Sequence, residues 1–141
     1  MLKYYVVDTN LLFSKLDKLG KNRYDIIILD DIISEIAPFP ERYQKLQNAG
    51  VQMIVPTKKH YEKLKEVLKV HGDNTKLIRL FSNEGVGDVM LIAYILAEKE
   101  SHSSLFQTEF ILVSNDAEAI SVAQKYGIEC LKELPINSPN M

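Results

Sequence analysis

Cysteine is almost absent from this chain: Cys130 is the single one among 141 residues. One thiol excludes an internal disulfide and any zinc site built from cysteines. Long apolar runs are missing as well. No segment reaches the roughly 20 residues needed to cross a bilayer, so no membrane partner is expected. The start, MLKYYVVDTN, lacks the apolar stretch and small-residue cleavage site of a secretory signal. These absences make a reducing cytoplasm the expected location. Any excess of basic charge is missing too. Lys and Arg number 17 against 19 Asp and Glu, a formal net charge of −2, whereas domains that bind nucleic acid are usually basic. That balance does not exclude nucleic acid. Carboxylates gathered at one site and neutralised by divalent metal leave the remaining cations to face phosphates, and charge distribution matters more than the sum.

What is present describes one soluble globular domain. Apolar residues make up 46% and charged residues 26%, and the length suffices for a single sizeable core. No repeat, low-complexity segment or interdomain linker interrupts it. We expect a domain over residues 1–134 and a flexible tail over 135–141. Tyr4 to Val7 reads as a short strand that stops at Asp8-Thr9-Asn10. Leu12, Leu16 and Leu19 then recur at helical spacing, closed by Gly20. Ile26 to Leu29 is the continuous apolar run of a buried parallel strand. Asp30 and Asp31 can cap the next helix, which Pro38 and Pro40 stop. A helix over Glu41 to Asn48, a strand over Val51 to Val55 and a helix after Pro56-Thr57 follow. In that last helix Tyr61, Leu64, Leu68 and His71 share one stripe. A short helix is expected over Lys76 to Phe81, and a polar loop over Ser101 to Thr108. Asp88 to Glu100 is a helix, apolar almost all round through Ala97, as a central helix must be. Phe110 to Val113 is a strand, Asp116 to Tyr126 a helix ended by Gly127, and Ile128 to Leu131 a last strand. This alternation predicts a three-layer α/β/α sandwich with a mostly parallel central sheet. Strand order is not readable.

Most carboxylates fall on helix surfaces beside lysines. Four fall elsewhere. Asp8 follows the first strand, and Glu35 lies one turn into the helix after the second, on the face of Asp31. Asp88 opens the buried helix; Asp116 follows the Phe110–Val113 strand and opens another helix. Carboxyl ends of parallel strands share one edge, where ligands bind. Alone, Asp88 and Asp116 read as N-caps, Asp8 as a turn residue and Glu35 as a solvated helix residue. As a set they repel one another, and a hard cation such as Mg²⁺ or Mn²⁺ offsets that repulsion. Such an ion can activate water and stabilise charge on a scissile phosphate.

Four segments, VVDTN, IILDDIISEI, GVGDVMLIAYILAEK and ILVSNDAEAISVAQKYGI, occur in an order and setting that resembles the PIN domain nucleases over nearly the full length. A D-S/T-x start supplies that family's first acid, here Asp8. A Glu in the helix after the second strand is similar to Glu35. An Asp opening a central Ala-rich helix resembles Asp88, and the Asp of a T/S-x-D segment resembles Asp116. The resemblance implies a Mg²⁺- or Mn²⁺-dependent endoribonuclease, with all four acids holding metal and water attacking the RNA phosphodiester. Asn10 and Ser114 match polar positions that support the acids through their carboxylates or metal-bound water. Many single-domain members are toxins of bacterial toxin–antitoxin pairs, and many form dimers. An antitoxin protein and a homodimer are therefore the protein partners implied. Pro40 to Asn83 carries no antitoxin-binding or substrate-selecting signature. The alternative within the same fold is a non-catalytic metal- or RNA-binding module.

Other features have plainer readings. Lys58, Lys59 and His60 are basic enough to touch phosphates, yet three cations at a helix start read as a solvated terminus. His71 and His102 have no partner at metal-ligand spacing. Cys130 reads as a core residue, and strand packing explains Tyr4-Tyr5 as well as base stacking does. A haloacid dehalogenase phosphatase wants D-x-D after its first strand, where this chain has Asn10. A receiver domain wants a late Lys where this chain has Ser114-Asn115-Asp116.

Overall fold

The computed structural model describes residues 2–29, 40–70, 87–101 and 108–140, with only the backbone described at Pro40 and Asp88. The elements run β1 (Leu2–Val7), α1 (Thr9–Phe13), β2 (Ile26–Leu29), α2 (Pro40–Ala49), β3 (Gln52–Ile54), α3 (Lys58–Val70), α4 (Gly87–Ser101), β4 (Thr108–Val113), α5 (Ala117–Lys125) and β5 (Cys130–Leu131). Aromatic and β-branched side chains favour the extended backbone of β1, because they pack well on a pleated surface. Its last three residues are all buried, which requires cover on both faces. β1 pairs on both sides, with β2 and with β4, and the sheet order is β3-β2-β1-β4-β5 with every pairing parallel.

Alternation along the strands sorts the core into two halves. Val6, Ile27, Leu29, Phe110 and Leu112 face α3, α4 and α5 through Leu64, Val67, Val89 to Ile95, Val122 and Ala123. Tyr5, Val7, Ile26, Ile28, Ile111 and Val113 face α1 and α2 through Leu11, Leu12 and Leu46. Right-handed crossovers produce this split. Connections moving from β1 towards β3 carry their helices to one face, and those moving towards β5 carry theirs to the other. The result is the expected three-layer α/β/α sandwich with a parallel sheet.

Several boundaries differ from expectation. α1 stops at Phe13, and residues 16–18 form a 3₁₀ turn instead of continuing the helix to Gly20. Ser14 turns its hydroxyl back onto the Leu11 carbonyl at 2.6 Å, a local bond that competes with helix propagation. β3 and β5 are shorter than the apolar runs containing them, since pairing ends at Leu29 on one flank and at Val113 on the other. The buried stripe of α3 is His60, Leu64 and Val67, whereas Tyr61 is exposed. The helix expected over 76–81, the loop over 102–107 and His71 lie outside the described residues. Gly50 closes α2 with φ +89°, and a Cβ there would approach the Arg23 nitrogen to 3.1 Å, so any other residue would be strained.

The segment expected to be a flexible tail lies against the body of the domain. Arg23 is fully buried; its guanidinium grips Asp25 at 2.9 and 3.1 Å and the carbonyls of Pro135 and Ile136. Asn140 exchanges two hydrogen bonds with the Lys3 backbone, at 3.0 and 2.9 Å. Among the described residues no helix is long and apolar enough to cross a membrane.

Candidate active site

Two strand ends define the place. β1 and β4 are neighbours in the sheet, yet β1 leads into α1 on one face and β4 into α5 on the other. Where outgoing connections part in this way, a crevice opens at the carboxyl edge. Asp8 stands at the end of β1. Its N–H donates to the Val113 carbonyl at 3.1 Å, continuing the ladder one step beyond Val7↔Val113. That register sets Asp8 beside Ser114. Pleat alternation from Val6 and Leu112 assigns both to the face covered by α4.

Asp8 is also the N-cap of α1: its carboxylate accepts the Asn10 N–H at 3.3 Å. Asp116 caps α5, its Oδ1 accepting the N–H groups of Glu118 and Ala119 at 2.9 and 3.0 Å. Helix N-termini stabilise carboxylates, through free N–H groups and the helix dipole. Ser114 is fully buried and accepts the Asp116 N–H at 3.1 Å, while its own N–H donates to the Leu131 carbonyl at 3.0 Å. Asn10 is exposed and reaches Asp8 through its backbone. Each of these two residues is thus tied to an acid by a hydrogen bond that involves a main-chain N–H.

Asp88 is the second residue of α4. Fifteen helical residues span about 22 Å, close to the ~20 Å of six-residue β4. α4 packs on β4, and its end precedes the start of that strand in the chain, as in a crossover helix that runs antiparallel to the strands it joins. The helix therefore ends over the strand starts and begins over their carboxyl ends, on the face shared by Asp8 and Ser114. Glu35, with Asp30 and Asp31, lies outside the described residues.

Among the described residues no three His, Cys, Asp or Glu side chains converge as a metal site would require; of the four acids, only Asp8 and Asp116 have described side chains. Their chemistry nonetheless suits a hard cation, since both offer carboxylate oxygen. One further observation points the same way. Thr9 is 1% exposed, and its hydroxyl has no hydrogen-bond partner among the described residues. A buried hydroxyl left unmatched costs about 1–3 kcal/mol, and this one stands next to Asp8. The residues fit an oxygen-coordinated divalent ion.

His60 is a correction. It is 2% exposed rather than part of a solvated helix start. Its Nδ1 accepts the Thr57 N–H at 2.8 Å and its Nε2 lies 2.7 Å from Glu98 of α4. An N–H pointing at Nδ1 leaves the ring proton on Nε2, donated to Glu98. Thr57-Lys58-Lys59-His60 has capping-box spacing, with imidazole in place of the usual carboxylate; that spacing was the available signal. His60 joins α3 to the distal half of α4 and has no part in the acidic edge. Tyr5 is buried, and Tyr4 stacks on Phe110 at 5.6 Å, so neither serves as a base platform. Cys130 is half-buried against the core, where burial raises its thiol pKa.

A family model described as a PIN domain matches residues 5–133. No curated protein matches the chain.

Proposed function

The chain belongs to the PIN domain family, whose members are typically nucleases that use divalent metals, and from that premise we propose that it is a Mg²⁺- or Mn²⁺-dependent endoribonuclease. The observation that carries the reading is the placement of Asp8 and Asp116 at adjacent strand ends across the point where the sheet's connections diverge. Asp8, Asp116, Asp88 and Glu35 would hold the metal. When bound, the ion supplies an activated water and positive charge against the scissile phosphate.

The protein's own part is pre-organisation. N-cap hydrogen bonds fix Oδ1 of Asp116 and the carboxylate of Asp8 before any ligand arrives. Ser114, anchored to β5, sets the loop that carries Asp116. Main-chain N–H groups at the α1 and α5 starts offset the mutual repulsion of the acids. On this reading the protein works in the cytoplasm on RNA. It is the toxin of a toxin–antitoxin pair, with an antitoxin and a second copy of the chain as protein partners.

The decisive measurement is cleavage of RNA with Mn²⁺ or Mg²⁺, and its loss in EDTA. Asp8→Asn and Asp88→Asn should each lower the rate by more than the roughly 100-fold that outer partners of a metal site are worth. Asn caps a helix as well as Asp does, so Asp8→Asn should keep its melting temperature. Variants that cut as fast as the parent sink the assigned site. RNA binding without cleavage would identify a non-catalytic module. Growth arrest on expression, relieved by Asp8→Asn, tests the toxin role.

A further inference from the structure

We propose that the Thr9 hydroxyl is a positioning group of the acidic site, kept unpaired by the fold so that it can hydrogen-bond a water on a divalent cation held by Asp8. The inference rests on the metal-dependent reading above and adds a residue to it. Thr9 is the first residue of α1, directly after Asp8. It is 1% exposed, and its Oγ1 is the one buried side-chain polar atom without a partner among the described residues. Buried polar atoms in native proteins are nearly always satisfied, and an exception calls for a cause. The Ser114 hydroxyl, on the residue set beside Asp8 by the β1–β4 register, follows a similar pattern. Ser114 is fully buried and accepts the Asp116 N–H; its own hydrogen has no acceptor among the described residues. A buried water needs two to four polar partners, and hydroxyls that can turn to donate or accept suit one whose protons are polarised by a cation.

Thr9 cannot be explained as packing. Valine has the same shape, fills the same volume and carries no hydroxyl to strand. A merely structural role would therefore favour valine. A functional role leaves an imperfect fit in the metal-free protein that binding repairs.

The test compares Thr9→Val and Thr9→Ser with the parent in the full chain. Melting in EDTA reads the metal-free fold, titration with Mn²⁺ followed by melting reads metal affinity, and RNA cleavage is measured separately. Thr9→Val should melt at or above the parent temperature in EDTA. Its Mn²⁺ affinity should be weaker by about 10-fold or more, the range found for outer partners of a metal site. Thr9→Ser should restore affinity to near the parent value, which a packing effect of the methyl would not. Equal Mn²⁺ affinity for Thr9→Val and parent overturns the proposal, as does a marked loss of stability in EDTA, which would reveal a partner within the fold. A parent that binds neither Mn²⁺ nor Mg²⁺ overturns it too. If the parent binds Mn²⁺ but cuts no RNA, the nuclease reading falls while the Thr9 affinity comparison still stands.

Discussion

Asp116 has a duty to its helix as well as to the proposed chemistry. Oδ1 receives two N–H groups of α5, and a cap of this kind is worth about 1 kcal/mol. Substitution separates the duties. Asp116→Ala should lose about that much stability and all activity. Asp116→Asn should keep the stability and still lose activity. Thermal melts paired with RNA cleavage check both, and an Asn variant that cuts normally would remove Asp116 from the site. A second carboxyl predicts a pH effect far from the acids. The neighbouring Glu129 carboxyl, together with burial, raises the Glu109 pKa above its ordinary 4.5. A carboxyl with a raised folded pKa favours the fold while protonated, and that contribution is lost as pH rises through the folded value. Glu109→Gln should therefore be more stable than the parent near pH 7, by less than about 1 kcal/mol because water screens the pair. The advantage should vanish below pH 4.5. Melting temperatures across that range decide; a gap independent of pH refutes the carboxyl pair as its cause.

At the scale of elements, helices were more legible than their ends. The α4 run is apolar on all sides in the sequence and is buried from Val89 to Ile95, so its central position was readable from composition alone. In α3 Leu64 is buried as expected and Leu68 packs against the core, but His60 takes the buried place expected of Tyr61. His60 looked like a surface cation because its partner, Glu98, is 38 residues away. The last segment shows the same dependence on distant residues. Pro135-Ile136-Asn137-Ser138-Pro139-Asn140 is polar and proline-rich, a local pattern that reads as tail. Arg23, 112 residues earlier, supplies the hydrogen bonds that hold it. Deleting residues 135–141 would strip Nη1 of its protein partners beside a buried ion pair. We expect a loss of about 1–3 kcal/mol, read as a lower urea midpoint with unchanged activity. An unchanged midpoint would return these residues to the status of a tail.

At the scale of the whole molecule, the division follows the range of the forces involved. Strand and helix periods, caps, breaking prolines and the placement of Asp8, Asp88 and Asp116 at element boundaries depend on residues a few positions apart. The sequence by itself determined these, and with them the α/β class. Sheet order depends on contacts between residues far apart in the chain, such as Val7 with Val113 and Ile27 with Gln52. Only the tertiary structure decided that β1 and β4 lie side by side, so that acids separated by a hundred residues of chain stand on neighbouring strand ends. It alone decided that Thr9 is sealed from solvent with no partner among the described residues, since burial is a property of everything packed around a residue.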